Sequence, residues 1–153
     1  MARIEIITEI GAPIEIVFDR ARDLDLHTDS LAHTNERIVA GRTSGLIEMD
    51  EEVTFRARHF GISHEHTSRI TAFDRPQYFR DEMIRGRFKY FKHDHFFAES
   101  GSGTRMTDVI LFNSPLGFLG RLVDRVFLAG YLERLIRHRN QAIKEAVESR
   151  AAV

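Results

Sequence analysis

Apolar residues recur along this chain in two rhythms, and the points where one gives way to the other divide it into segments. Ile4 to Ile10 alternates weakly and predicts a first strand. Gly11-Ala12-Pro13 ends it, and a proline suits the first turn of a helix. Ile14, Val17, Phe18, Ala21 and Leu24 then recur at helical spacing, and Asp25 to Leu31 predicts a second short helix. From about Glu36 to Asn113 the pattern is one of strands broken by turn signals. After Pro115-Leu116-Gly117 it becomes one long amphipathic helix. Its stripe holds Leu119, Leu122, Val123, Val126, Phe127, Tyr131, Leu135, Ile136, Ile143, Ala146 and Val147, with Arg121, Asp124, Glu133, Arg137, Lys144 and Glu148 on the other faces. Such a helix spans roughly 45 Å, and Gly130 is the position where it would bend. A stripe this wide predicts the lid of a core; an arginine-flanked helix lying on a membrane surface is the alternative.

Charge tests the strand registers. A two-residue turn at Phe60-Gly61 places Arg56 opposite Glu65, Thr54 opposite Thr67 and Glu52 opposite Arg69. The other face then carries Val53, Phe55, Ala57 and His59 against Ser68, His66, His64 and Ile62. Phe79, Asp81 and Met83 share the less charged face of the next strand, with Gly86 in the turn that follows. The turn at Ser100-Gly101-Ser102-Gly103 pairs Glu99 with Thr104, which sets Phe97 opposite Met106, His95 opposite Asp108, His93 opposite Ile110 and Phe91 opposite Phe112.

In that register Phe91, His93, His95 and Phe97 lie on one face, while Lys92 and Asp94 point the other way, toward water. The two histidines are therefore predicted to face inward, where a titratable side chain needs a partner or a purpose. A carboxylate beside an imidazole fixes its tautomer and raises its basicity. Asp108–His95 is the candidate catalytic dyad, with Asp81 beside His93 as a second pair; a satisfied structural pair in a core is the competing reading. The pairs His64/His66 and His93/His95, with Asp108, also carry donors suited to zinc or iron. One intervening strand separates the two pairs by roughly 10 Å, so no metal and no cofactor is assigned.

Composition narrows the class. The chain has 153 residues, 42% hydrophobic and 29% charged, with 22 basic against 23 acidic residues. This predicts a single domain, 1–153, with a sizeable core and no electrostatic case for nucleic acid. The absence of cysteine excludes disulfides, thiolate metal sites and a cysteine nucleophile. The N-terminus shows no signal-peptide apolar segment, and the longest apolar run, Val126 to Leu132, is far shorter than the roughly 20 residues a membrane span needs. A cytoplasmic location is the expectation. No nucleophile elbow, phosphate-binding loop or dinucleotide fingerprint is present.

A strand, two short helices, about six antiparallel strands and a long C-terminal helix, taken with particular motifs, resemble a known group. The motifs are Ala12-Pro13 with Val17-Phe18-Asp19, the segment from Val53 to Gly61, Phe79-Arg80-Asp81-Glu82, Gly86-Arg87-Phe88, the segment from Phe91 to Phe97, and Thr104 to Asp108. Ser114 to Gly120, and Leu128, Tyr131, Arg139 and Asn140 of the last helix, complete them. The chain resembles the START-like, birch-pollen-allergen-like (SRPBCC) superfamily and, within it, the bacterial polyketide cyclase/dehydrase-like group. The resemblance implies an α+β helix-grip fold, a curved antiparallel sheet of about seven strands wrapped around the C-terminal helix, with an apolar cavity between them.

That cavity is expected to be lined by Phe55, His64, His66, Phe79, Asp81 and Met83, by Phe91, His93, His95 and Phe97, and by Met106, Asp108 and Ile110. Leu122, Val126, Tyr131 and Leu135 would form the helix wall. Three functions stand open. One is binding of a small apolar or aromatic ligand of lipid, quinone or polyketide type. A second is a cofactor-independent cyclase, dehydratase or isomerase using His95 and Asp108, with His93 or Tyr90 polarising the substrate oxygen. The third is an interaction or carrier module without turnover, such as a homodimer, built on Phe118, Phe127 and Leu128.

Overall fold

A computed structural model describes residues 1–115 and 117–151; Leu116, in the predicted break before the last helix, lies outside them. The elements run β1 (Ala2–Ile10), α1 (Ile14–Ala21), α2 (Leu24–Ser30), β2 (Arg37–Gly41), β3 (Glu52–His59), β4 (Ile62–Asp74), β5 (Tyr78–Arg85), β6 (Tyr90–Ser100) and β7 (Gly103–Asn113). The C-terminal helix follows as α3 (Gly117–Val123), a π-helical turn (Asp124–Leu128) and α4 (Ala129–Ala151). The seven strands form one antiparallel sheet in the order β1-β7-β6-β5-β4-β3-β2. This is the helix-grip architecture that the resemblance implies.

The registers are those predicted by charge and turn position. Arg56 faces Glu65 and Glu52 faces Arg69 across the β3–β4 hairpin, while His95 faces Asp108 and Phe91 faces Phe112 across β6–β7. Phe60 and Gly61 both adopt positive φ (53° and 74°) in the tight β3–β4 turn, the conformation whose twist matches the strands it joins. Register shifts at Thr67/Ser68 and Ile70/Ala72 break the β4–β5 ladder. An extra residue on one strand bends it and reverses the parity beyond it. Inward positions in β4 are therefore even up to Ile70, and odd at Phe73, which packs edge-on to Phe18. These irregularities curve the sheet around α4.

Asp94 departs from its prediction. It lies on the outer face, as expected, but it is buried rather than wetted, beneath Tyr78 (2.5 Å), Arg80 (2.7 Å) and Lys92 (3.3 Å). Burial, reinforced by the hydrogen bond to Asp94, pushes the Tyr78 hydroxyl up to about 12.

The apolar stripe of the last helix is only half used. Tyr131, Leu135, Ile136, Ile143 and Val147 turn toward the sheet, but Phe118, Leu119, Leu122, Val126 and Phe127 are exposed, Phe118 by 80% and Val126 by 69%. The π-helical turn explains this. It holds one residue more per turn than an α-helix, so a stripe continuous at 3.6-residue spacing is rotated out of phase on its N-terminal side. The break falls at Asp124–Leu128, just before Gly130.

The interior is layered. One apolar cluster gathers Ile10, Val17, Phe18, Phe97, Met106, Ile143 and Val147; the other gathers Ile4, Ile6, Ile110 and Phe112, with Leu132 and Ile136 against it. Between them runs a polar seam that every adjoining element supplies. Thr8 comes from β1, Asp108 from β7, His93 and His95 from β6, and Arg139 and Asn140 from α4.

Candidate functional site

A cavity of about 520 Å³ lies between the inner face of the sheet and α4, closed at one side by α2. Its walls are mostly apolar: Leu24 and Leu31 near the helices, Val53, Phe55 and Ala57 from β3, Phe79 from β5, Phe91 from β6, and Leu132, Leu135 and Ile136 from α4. The polar seam opens into it at one place, through Asp81, His93, His95 and Arg139.

Both imidazoles sit there because strand parity puts them there. His93 and His95 are 5% and 2% exposed, and their rings stack with centroids 3.7 Å apart. Two carboxylates clamp the stacked pair. Behind it, Asp108 Oδ1 lies 2.7 Å from His93 Nε2 and 3.1 Å from His95 Nδ1, the latter at an angle too poor for a full hydrogen bond. On the cavity side, Asp81 Oδ2 lies 2.8 Å from His95 Nε2 and 4.0 Å from His93 Nδ1. The predicted dyads are thus exchanged. The close bonds join His93 to Asp108 and His95 to Asp81, along the diagonals of the ladder rather than straight across it, because side chains lean along the strand.

Asp108 is fully buried and anchored. Asn140 Nδ2 donates to its Oδ2 at 2.7 Å, and Arg139 approaches Oδ1 at 3.5 Å while donating to the carbonyl of Ala21 at 2.9 Å. Burial alone would raise the Asp108 carboxyl, but His93, His95 and Arg139 outweigh it and hold it well below the usual range. The same contest, won by His95, His93 and His66, holds Asp81 down. Burial pulls His93 below its ordinary value, assisted by the neighbouring His95. It also acts to lower His95, but the flanking Asp108 and Asp81 prevail and raise it.

The structure sorts the predicted lining residues. Phe55, His64, His66, Phe79, Asp81, Phe91, His93, His95, Tyr131 and Leu135 border the cavity. Phe97, Met106 and Ile110 face inward but are consumed by the two apolar clusters, since α1 and α4 pack onto their part of the sheet. Asp108 is sealed behind the histidines. Met83 lies off the wall, its sulfur turned toward Gly86 beside His66. Leu122 and Val126 are outside because of the π-helical turn, and Tyr90 is outside because its neighbour Phe91 takes the inward position. His64 reaches the backbone of His59, and His66 bonds Ser68 at 3.0 Å.

Sequence reasoning missed Arg139 and Asn140 as members of the site, and the wall contact of His27 Nε2 with Glu36 Oε1 (2.7 Å). The first pair left a signal: two polar residues interrupt the stripe between Ile136 and Ile143, at inward helical spacing. The second left none, because a loop brings Glu36 to α2. At the mouth, Phe60 from the β3–β4 turn packs at a tilt against Tyr131 (centroids 4.6 Å) and reaches Phe127 (6.1 Å), while His59 Nδ1 meets the Tyr131 hydroxyl at 2.6 Å.

No protein-family model and no curated protein matches the sequence. Solved structures do match. A protein of Thermus thermophilus, TTHA0849, aligns with TM-score 0.73 at 19% identity over 95% of this chain and 99% of its own. Ginseng major latex-like protein 151 from Panax ginseng aligns with TM-score 0.67 at 14% identity over 95% and 97%. The di-domain ARO/CYC StfQ from the steffimycin biosynthetic pathway aligns with TM-score 0.80 at 14% identity over 99% of this chain and 52% of its own. At these identities the likeness is one of fold, carried by the sheet order and the gripped helix rather than by shared side chains. The chain has the helix-grip fold that these solved structures share.

Proposed function

We propose that this protein binds a small, largely apolar or aromatic molecule carrying oxygen substituents, of lipid, quinone or polyketide type, in the cavity between sheet and α4. The observation that carries this reading is the cavity itself. About 520 Å³ walled by apolar side chains, with Asp81, His93, His95 and Arg139 converging at one point, is the combination that small-molecule sites present. Apolar walls supply area, and a few buried polar groups fix the orientation of the ligand's oxygens. The reading needs no neighbour's ligand, though one neighbour is named an ARO/CYC of the steffimycin biosynthetic pathway.

A ligand that binds only the native state raises the melting temperature with saturation. A panel of fatty acids, quinones and polyphenols tested by thermal shift is expected to contain such ligands. Ala57→Trp, which projects an indole from the β3 wall into the space, is expected to stay folded and lose the shift. A flat response to the whole panel, together with native mass spectra showing no co-purified small molecule, would remove the reading.

A second reading, proton transfer by a cyclase, dehydratase or isomerase without a cofactor, is favoured by one specific feature. Two carboxylate-backed imidazoles border the cavity, and a carboxylate at one ring nitrogen makes the other a competent base. His93, whose Nδ1 has, among the described residues, no closer partner than Asp81 at 4.0 Å, would take the proton; Asp108, sealed behind, orients rather than reacts. Exchange of an acidic ligand C–H for deuterium, catalysed by the native protein and lost in His93→Gln, is the expected sign.

A further inference from the structure

The clamped histidine pair is built like a metal site. His93 Nδ1, His95 Nε2 and Asp81 Oδ2 each offer one donor atom, and the three lie within 4.8 Å of one another at the cavity wall. Two imidazoles and one carboxylate, with the remaining directions open, form a donor set suited to divalent iron or zinc. Such ions hold donors at about 2.0–2.2 Å, so closure around one requires shifts on the order of 1 Å.

The back of the site matters as much. A ligating histidine needs its other nitrogen held by an acceptor, which fixes the proton there and leaves a lone pair for the metal. Here one buried carboxylate, Asp108, bonds the remote nitrogen of His93 at 2.7 Å and lies 3.1 Å from that of His95, close in charge though short of hydrogen-bond alignment. Asp108 is in turn held by Asn140 and Arg139 from α4. This arrangement gives both rings a shared partner behind and points the opposite nitrogens of both at a single partly exposed carboxylate, whose side chain is 22% accessible.

We propose that Asp81, His93 and His95 bind a divalent first-row transition metal, with Asp108 positioning the two imidazoles and the free coordination directions facing the cavity. The site goes beyond the ligand reading above and sharpens it. A metal there selects ligands whose oxygens chelate, such as an enolized diketone or a catechol, over plain hydrocarbon chains.

The test uses cobalt(II) as a spectroscopic probe on chelator-stripped protein, without any organic ligand. Expected are visible ligand-field bands saturating at one cobalt per chain and displaced by zinc. Asp81→Asn, a change at a partly exposed side chain, is expected to stay folded by circular dichroism and to bind cobalt at least ~10-fold more weakly. His138→Gln alters the exposed pair His33–His138 (ring centroids 5.0 Å apart), an imidazole pair away from the cavity's polar seam, and is expected to bind as the parent does. No cobalt bound by folded parent protein overturns the proposal. So does unchanged affinity in Asp81→Asn, or loss of the bands in His138→Gln. Organic ligands are scored separately, by thermal shift in the presence of chelator, so failure of the cavity reading and failure of the metal site give different results.

Discussion

Asp108 shows how much one residue holds. It is fully buried, yet charged, because His93, His95, Asn140 and Arg139 converge on it from two elements. Asp108→Asn keeps the shape and removes the charge, leaving the buried Arg139 guanidinium without its counter-charge. Breaking one side of a buried pair costs about 3–5 kcal/mol, and urea denaturation is expected to register a loss of that size. A loss under about 1 kcal/mol would mean water reaches the seam. His66 gives a prediction of the opposite kind. Burial holds it below its ordinary value, so it stays neutral in the native state when the unfolded chain has begun to take up a proton. Stability therefore falls as pH drops below about 6.5, by at most ~1.4 kcal/mol per pH unit for this group. His59 and His93, also lowered, add to that fall. His95, which is raised, opposes it, contributing stability below about pH 6.5 that is lost as pH rises through its folded value. His66→Gln is expected to flatten the decline in urea midpoint between pH 7 and 5; an unaltered slope would show that its ring is charged in the folded protein.

At the scale of elements, two departures from regular geometry do most of the shaping. Shifts in β4 curve the sheet, and the π-helical turn divides the last helix into an exposed part and a gripping part. The β6–β7 turn is a tight joint. A Cβ at Gly103 would stand 2.3 Å from the backbone oxygen of Ile10, so no side chain fits without moving β1. Gly103→Ala is expected to cost about 1–3 kcal/mol and to speed amide exchange in β1 more than elsewhere. Uniform exchange would locate the strain in another place. Hairpin registers were legible from charge pairs such as Arg56–Glu65 and Glu52–Arg69, since opposite charges across a ladder have only one alignment. The π-helical turn was not legible, because its residues carry the same apolar spacing as the regular helix around them.

For the whole molecule, the cavity is the space left between the inner face of the curved sheet and α4. Its mouth is guarded by Phe60 against Tyr131 and Phe127. An aromatic contact of this kind contributes about 0.5–1.5 kcal/mol. Phe60→Ser is therefore expected to raise the dissociation rate of a bound fluorescent ligand about 2–10-fold with little change in melting temperature. An unchanged rate would place the exit elsewhere. Among the described residues no helix is long and apolar enough to cross a membrane.

Alternation along β6 and β7 alone determined that His93 and His95 face inward and that Asp108 lies on the same face, because a strand has two faces and Lys92 could occupy only one of them. Which carboxylate each ring takes was decided by the tertiary structure. Side-chain lean, the closing of β5 on β6, and the arrival of Arg139 and Asn140 from a helix more than 30 positions downstream of Asp108 select the diagonal partners. Periodicity records which way a residue points; only the packed chain sets which atoms, distant in sequence, come within bonding distance.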